Sequence, residues 1–340
     1  MQPEARITTD ASQTVPGASN SPQYPPGFRA RRGLNWCVVG LMYTSYYLCR
    51  YNFSYANKSI SDEFHFTKSQ MSTILMMNFF AYGCGQIVNG LLTDRIGGKR
   101  AMLIGAFGTV VVNILFGAGS FWGMLWLFTL LWSMNGYVQS FGSPGFIKIN
   151  SSWFSEKQRG TFAGIFGFMI NLGRLLANKL LPSLLAGFTF IGMWHVPPQH
   201  WRWLFWIPSG VAAVVAVVLA LTVKDTPEEV GYKNVFAGEA DHADADIHGR
   251  LGTVFKQVVS NPMVWVMAFA YACTGAVRQG IDQWFPRFFQ EVHHLDMTGG
   301  KFQALGFLIP FVASAGSLLS GWVSDRFFHS RRAPVAAAIY

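Results

Sequence analysis

Residues 90–100 read Gly90-Leu91-Leu92-Thr93-Asp94-Arg95-Ile96-Gly97-Gly98-Lys99-Arg100, and the start of this pattern returns 231 residues later as Gly321-Trp322-Val323-Ser324-Asp325-Arg326. Each copy directly follows a long apolar run. Glycine lets helices approach closely, and Asp and Arg at a helix end are placed to bond a neighbouring bundle. The repeat therefore predicts two related halves with a gating motif in each. The motif residues are Gly90, Asp94, Arg95, Gly97 and Lys99, then Gly321, Asp325 and Arg326.

Eight apolar runs are long enough to cross a lipid bilayer, which takes about 20 mostly apolar residues in a helix. Of the 340 residues, 51% are hydrophobic and only 13% are charged, against roughly 25% charged in soluble domains. The sequence therefore predicts an all-α membrane protein embedded in lipid. The predicted spans are 34–56, 70–93, 101–119, 122–147, 161–187, 202–222, 262–288 and 302–323.

The runs divide the chain into four parts. Residues 1–33 are polar and predict a disordered tail, 34–223 a six-helix bundle, 224–260 a linker, and 261–340 the start of a second bundle. Sixteen Lys and Arg fall on the side of the tail and five on the other side. The positive-inside rule then places the tail in the cytoplasm of a cell whose plasma (inner) membrane holds the protein.

Two arginines lie inside the spans, at matching places in the two halves. Arg50 and Arg278 each come 16 residues after the start of their predicted helix, which is about 24 Å of helical rise. A charge at this depth is costly, so we expect both side chains to face a shared polar cavity. A guanidinium binds phosphate or carboxylate with two parallel hydrogen bonds. Two converging arginines therefore predict a clamp for one small anion.

Polar residues around this clamp extend the predicted site. Tyr43 and Tyr47 share the helix face of Arg50, seven and three residues before it, whereas Tyr46 points elsewhere and is expected to pack. Arg174, within the fifth span, is a further candidate for lining the cavity. Asp282 follows Arg278 by one turn, and we expect the two to pair when the site is empty.

The first-helix stretch Tyr46-Tyr47-Leu48-Cys49-Arg50-Tyr51-Asn52-Phe53-Ser54 resembles the organophosphate:phosphate antiporter family of the major facilitator superfamily. Four further segments are similar: 136–144, 153–160, 224–231 and 278–284. The resemblance implies twelve helices in two parallel repeats, exchange of an organic phosphate for inorganic phosphate, and Arg50 and Arg278 as phosphate ligands. It also implies that Tyr43, Tyr47 and Tyr82 line the site.

Three positions depart from the glycerol-3-phosphate members of that family. Gln86 stands where they have Lys, Ile170 where they have His, and Gly275 where they have Tyr. An amide donates hydrogen bonds without adding charge, so these changes predict a different solute. Eight spans of an expected twelve also predict a truncated product, which we expect not to transport alone.

The leading functional hypothesis is a secondary antiporter that works by alternating access and binds a small anionic solute as a monomer. Two alternatives remain open. A proton- or sodium-coupled carboxylate symporter would use Asp282 as its proton carrier, and a transporter-like receptor would sense a sugar phosphate.

Enzyme classes are disfavoured by the sequence. No paired carboxylates, nucleophile motif or phosphate-binding loop stands outside the spans, and the four cysteines lie inside apolar runs without zinc-ligand spacing. We therefore expect no enzyme activity, no cofactor and no metal. The net charge of +9 follows from basic loops beside the membrane, so no nucleic-acid partner is expected.

Overall fold

A computed structural model describes residues 24–155, 159–190, 194–198, 200–232, 235 and 251–327. For several residues inside the helices, Gly321 and Asp325 among them, only the backbone is described. Within these ranges the chain forms ten α-helices and one small hairpin. The helices are α1 Phe28–Phe64, α2 Lys68–Ile96, α3 Gly98–Gly119, α4 Leu125–Gln139, α5 Gly142–Trp153, α6 Arg159–Leu185, α7 Trp203–Thr222, α8 Leu251–Ser260, α9 Pro262–Glu291 and α10 Gly300–Phe327.

Every predicted span contains a helix, although few of these helices are apolar throughout. Three described helices, α2, α3 and α7, are long and apolar enough to cross a membrane by composition alone. Among the others, α1, α4, α5 and α9 carry buried polar residues. In α1 the fully or nearly buried polar residues include Asn52, Ser54 and Asn57. Polar side chains at such helix contacts bond across the bundle instead of facing lipid.

The fourth span is broken, which the sequence analysis did not predict. Helix α4 ends at Gln139 and α5 begins at Gly142, with a turn between them. Pro144 has no N–H, so the carbonyl of Ser140 lacks its usual helical donor. The side chain of Gln86 supplies a donor instead, with 3.3 Å from its Nε2 to the Ser140 oxygen.

The first helix begins earlier than predicted. We expected the tail to run to residue 33, but α1 starts at Phe28. The Phe28 ring is fully buried, stacked on Trp153 at 5.8 Å and edge-on to Tyr232 at 5.4 Å. Burial of this aromatic side chain favours ordering of the last turn of the tail as helix. Residues 1–23 lie outside the described part of the chain.

The predicted linker also contains structure. Its last ten residues form α8, and residues 224–232 fold back on the bundle; 236–250 lie outside the described residues. Asp225 accepts a hydrogen bond from the backbone N–H of Lys99, at 2.6 Å, and so caps the start of α3. Gly97 precedes this helix with φ +90°, and a Cβ there would lie 3.0 Å from the Asp225 carboxylate. Asp225 therefore holds the first gating motif in place.

A short hairpin closes the loop between α6 and α7. Strand β1, Phe188–Phe190, pairs antiparallel with β2, Trp194–Val196, with Phe188 opposite Val196. Near it, Glu63 at the end of α1 accepts a hydrogen bond from Trp201 at 2.7 Å and pairs with Arg202. We call this end of the molecule the Glu63 end, and the opposite end, which carries Asp94 and Lys99, the Asp94 end.

Helices α1 to α7 pack together, and α9 and α10 lie against them on one side. Helix α9 contacts α1, and α10 contacts α6. These contacts gather toward the Glu63 end, where Gln283 and Arg287 of α9 are 3% and 6% exposed. The first half of α9, from Pro262 to Thr274, is mostly exposed. The two groups of helices therefore touch at the Glu63 end and separate toward the Asp94 end.

Candidate substrate site

Arg50 lies on the inner face of α1, surrounded by tyrosine rings and one amide. Its guanidinium carbon is 5.2 Å from the ring centroid of Tyr47 and 4.7 Å from that of Tyr82. Its Nε donates to Oε1 of Gln139 at 2.9 Å. This bond uses one of five N–H donors, and the terminal nitrogens carry the other four. The arrangement stabilises the cation by π-electron density and a neutral acceptor.

The tyrosines that precede Arg50 divide as the helix periodicity predicts. The rings of Tyr43 and Tyr47 are 5.8 Å apart, and Tyr47 contacts Arg50 directly. Tyr46 turns away and donates to the backbone oxygen of Met102 at 2.7 Å, inside the apolar core. The expectation that Tyr46 packs against a neighbouring helix is confirmed.

Gln86 is close to this cluster but is bonded to the backbone. Its Nε2 donates to Ser140, the residue at the break between α4 and α5. Gln86 therefore joins α2 to the broken helix, on the same helix as Tyr82 and one turn further along.

Arg174 and Asp282 form an ion pair that joins α6 to α9. Tyr51 donates to the second carboxylate oxygen of Asp282 at 3.1 Å. The side chains of Arg174 and Asp282 are 18% and 11% exposed, so the pair is largely shielded from solvent. The expected pairing of Asp282 with Arg278 is wrong, because Arg174 and Tyr51 approach the carboxylate from the neighbouring helices and bond both of its oxygens.

Arg278 lies on α9 before the contact with α1 begins. Its side chain is exposed, and it forms no ion pair or hydrogen bond with the described residues. The hydroxyl of Tyr47 nevertheless lies within electrostatic range of Arg50, Arg174 and Arg278 together. Of these three arginines, Arg50 contacts the Tyr47 ring directly, at 5.2 Å from its centroid.

A small cavity opens beside the ion pair, toward α10. Its lining includes Tyr51, Tyr55, Arg174, Asn178 and Asp282. Tyr55 donates to Asn178 at 2.7 Å, and Asn178 in turn donates to the backbone oxygen of Gly306 in α10. The cavity is therefore bounded by hydrogen bonds that link α1, α6 and α10.

The first gating motif bonds within its own half. Asp94 lies 3.5 Å from the ammonium of Lys148 on α5, and both side chains are exposed. Arg95 is exposed, and Gly90 has open space around it. We expected contacts with the other bundle, but α9 and α10 separate from α1–α7 at this end. In the second motif Arg326 is exposed, while only the backbone is described for Gly321 and Asp325.

Charged residues that were not among the predicted site residues join the two groups of helices at the Glu63 end. Arg287 donates to Glu291 at 2.6 Å and to Asn57 of α1 at 2.8 Å. Glu291 also pairs with Lys68 of α2 at 2.6 Å. We call Asn57, Lys68, Arg287 and Glu291 the Glu291 cluster. Its sequence signal is the pair of opposite charges, Arg287 and Glu291, one helical turn apart at the end of the seventh span.

Among the described residues no group of His, Cys, Asp and Glu is arranged to hold a metal ion. The site is instead built from arginine, tyrosine and amide side chains. Such a set binds anions through hydrogen bonds and charge, and it offers no nucleophile placed beside a general base.

Known proteins are similar to this chain in sequence and in fold. A family model described as Major Facilitator Superfamily matches residues 39–340. A bacterial homologue of the human lysosomal transporter Spinster, solved inward-facing and unoccupied, superposes with a TM-score of 0.69 at 17% identity, covering 87% of this chain and 63% of that one. This likeness concerns the fold alone.

Curated relatives are more similar in sequence. The glycerol-3-phosphate transporter of Bacillus subtilis is 29% identical, over 86% of this chain and 64% of its own length. The membrane sensor protein UhpC of Salmonella typhimurium is 28% identical over 88% and 65%. A probable hexose phosphate transport protein of Chlamydia pneumoniae is 27% identical over 86% and 64%.

The chain spans just under two thirds of the length of these relatives. The family match covers nearly all of the chain beyond the tail, and the helical architecture agrees with it. The chain belongs to the major facilitator superfamily, and it is a multi-pass membrane protein of a transporter family, as the sequence repeat predicted.

Proposed function

We propose that the protein carries a phosphorylated organic anion across the plasma membrane in exchange for inorganic phosphate, by alternating access. The observation that carries this proposal is the Arg50 cluster. A cation deep in a membrane protein is costly unless it has a function or a partner. Here Arg50 is held by a neutral amide and aromatic rings. Its charge is therefore available to a mobile anion.

Relatives support phosphate as the anionic group. Two of the three named above are described as transporters of glycerol 3-phosphate or hexose phosphate, and the third as a membrane sensor. Phosphate has several oxygens that accept paired hydrogen bonds from a guanidinium. The binding set in this proposal is Arg50, Arg278, Tyr43, Tyr47, Tyr82 and Gln86, with Arg174 and Asp282 adjoining it.

The arrangement of helices supports alternating access. Helices α9 and α10 contact α1 and α6 at the Glu63 end and diverge at the Asp94 end. With the N-terminus in the cytoplasm, the Asp94 end faces inward and the gap between the helix groups opens to the cytoplasm. Phosphate bound by Arg50 and Arg278 would draw α9 toward α1 and close this gap, while the contacts at the Glu63 end break.

A sensor is a second candidate, favoured by the 28% identity to a membrane sensor protein. It would use the same anion site without net transport. A proton-coupled symporter is less well supported, because Asp282 already accepts bonds from Arg174 and Tyr51. Protonation of the Asp282 carboxylate would break its ion pair with Arg174.

The test separates binding from exchange. Inorganic phosphate is titrated into the purified protein, with acetate as the carboxylate control, and the affinities of wild type and Arg50→Lys are compared. For exchange, vesicles containing the protein extended to the twelve helices of its family are loaded with phosphate and then given labelled phosphate and a panel of sugar phosphates. Saturable phosphate binding that Arg50→Lys weakens supports the anion site, and trans-stimulated uptake supports exchange. Preference for acetate, or uptake driven by a proton gradient alone, would contradict the proposal.

A further inference from the structure

Four amide side chains form a continuous chain behind Arg50. They are Gln139 and Asn135 of α4, Asn113 of α3 and Asn52 of α1, and none is more than 2% exposed. Burying an amide costs free energy unless its N–H and C=O groups are bonded. Four of them in the core of a membrane bundle, where apolar side chains would pack as well, call for an explanation.

The chain starts at the guanidinium. Oε1 of Gln139 accepts from Arg50 Nε at 2.9 Å, while Nε2 of Gln139 donates to Oδ1 of Asn135 and to the backbone oxygen of Cys49, each at 3.2 Å. Asn135 also donates to the Cys49 oxygen at 3.2 Å. The backbone just before Arg50 and the side chain of Arg50 are thus both tied to α4.

The chain continues away from the site. Asn113 Nδ2 donates to Asn135 Oδ1 at 2.9 Å and to the backbone oxygen of Thr109 at 2.9 Å. Asn52 Nδ2 donates to Asn113 Oδ1 at 2.8 Å, and Asn52 Oδ1 accepts from the N–H of Phe53 at 2.9 Å. Each amide is oriented by the next one. A flipped Gln139 would bring its NH₂ group against the Nε–H of Arg50, so the network allows one orientation.

Arg174 provides a contrast within the same protein. It is held by the carboxylate of Asp282, which compensates its charge. Arg50 is held by an amide, which fixes its direction and leaves its charge uncompensated. The amides therefore orient the Arg50 guanidinium and leave its charge for an anion. The Asp282 carboxylate instead neutralises Arg174.

We propose that Gln139, Asn135, Asn113 and Asn52 are positioning residues that aim Arg50 at the transported anion without neutralising it. The inference rests on the proposed function, because it assumes an anion at Arg50. Gln139 contacts Arg50 directly, and the three asparagines act through Gln139. The alternative is that the amides only join α1, α3 and α4, as polar side chains do in many membrane bundles.

The first experiment changes charge at constant shape. Gln139→Glu places a carboxylate against Arg50, and binding of inorganic phosphate to the purified protein is expected to weaken at least tenfold. The matched control is Gln303→Glu on α10, which puts the same charge beside Lys179, its present partner at 2.7 Å. Unchanged phosphate affinity in Gln139→Glu, or an equal loss in both variants, would overturn the inference.

The second experiment breaks the series of hydrogen-bonded amides at Asn113, which is linked to Arg50 through Asn135 and Gln139. Asn113→Leu is expected to weaken phosphate binding roughly three- to tenfold, whereas Asn150→Leu is expected to leave it within twofold. Asn150 is also buried, at 3% exposed, and its side chain bonds, among the described residues, only the backbone of its own helix at Phe146. Similar losses in both would show that the asparagines only stabilise the bundle.

A third measurement does not depend on a ligand. Unfolding midpoints are compared for wild type, Asn113→Leu, Arg50→Gln and the double variant. If the amides position Arg50, the two substitutions are non-additive, because the second acts on a chain already broken. Additive midpoints would refute the positioning role. Failure of the wild type to bind phosphate would instead contradict the proposed function, and this cycle would still decide whether the amides fix Arg50.

Discussion

At the scale of single residues, the main finding is that three arginines of the candidate site differ in their bonding partners. Arg50 is bonded to a neutral amide, Arg174 to a carboxylate, and Arg278 is exposed. Sequence position alone made Arg50 and Arg278 equivalent. The structure separates them, because Arg278 lies on α9 before the part of the helix that contacts α1, where its side chain is exposed.

Arg50→Lys tests whether phosphate binding requires the planar guanidinium group with its paired N–H donors. A lysine keeps the charge but presents a single ammonium, which forms no paired hydrogen bonds with one phosphate and no matching bond to Gln139. We expect phosphate affinity to fall by about tenfold or more while the unfolding midpoint changes little. Lys179→Arg, at an exposed position on α6, is the control for the exchange of one basic residue for another outside the Arg50 cluster.

Asp282→Asn tests the ion pair. Removing the carboxylate leaves Arg174 without its charged partner in a largely buried place, which is expected to cost about 1–3 kcal/mol of stability. The double variant Asp282→Asn with Arg174→Gln removes both charges and should regain at least half of the lost stability. Thermal unfolding in detergent measures the stability of the single and the double variant. A double variant no more stable than the single one would contradict the pairing.

The sequence was informative about some of these residues and silent about others. The spacing of Tyr43 and Tyr47 before Arg50 predicted their shared face, because helix periodicity alone determines it. The partner of Asp282 was not predictable from periodicity, since a residue one turn away competes with side chains from other helices. The amides at 52, 113 and 135 gave only a weak signal as single polar residues in apolar runs.

At the scale of elements, close helix contacts and one break shape the site. Helices α2 and α4 approach where Gly136 faces Asn78, and Asn78 donates to the backbone oxygen of Trp132 at 2.6 Å. The break between α4 and α5 then redirects the chain at Ser140. Together these features place Gln139 beside Arg50 and Gln86 beside the break.

Gly136→Ala tests the contact between α2 and α4. A Cβ at Gly136 would lie 2.4 Å from the backbone oxygen of Asn78, which neither helix accommodates without moving. We expect a loss of about 1–3 kcal/mol. Gly83→Ala on α2 is the matched control, because its added methyl meets no atom within 4 Å. Its expected effect on the unfolding midpoint is neutral or slightly stabilising. Equal effects of the two substitutions would argue against the close contact.

Helix existence was predictable from apolar run length, whereas helix ends and breaks were not. Run length counts hydrophobic residues, and each predicted span contains a described helix. It did not register that Pro144 removes a donor, or that Phe28 has an aromatic pocket formed by residues far along the chain. Both effects depend on partners brought together only by the fold.

At the scale of the whole molecule, the two groups of helices meet through the Glu291 cluster and part at the other end. Arg287 is nearly buried and bonds α1, while Glu291 bonds α2. These bonds hold α9 against the larger group. For the molecule to open at the Glu63 end, they have to break.

Glu291→Gln is therefore expected to favour opening at the Glu63 end. The readout is a thiol at Gly306→Cys, where a Cβ faces Asn178 at 3.4 Å, in a protein whose four native cysteines are replaced by serine. Labelling by a membrane-impermeant maleimide should become several-fold faster in Glu291→Gln. Asp62→Asn is the control, because in the described part of the chain Asp62 pairs only with Lys58 on its own helix. Unchanged labelling in Glu291→Gln would exclude the cluster as a closing contact.

The polar faces of the helices also bear on how the protein enters the membrane during synthesis. Among the described helices only α2, α3 and α7 are long and apolar enough to cross a membrane by length and composition. Helix α1 precedes all three in the chain, yet it carries Arg50 and several buried amides. We therefore expect its stable integration to require later helices that cover this polar surface.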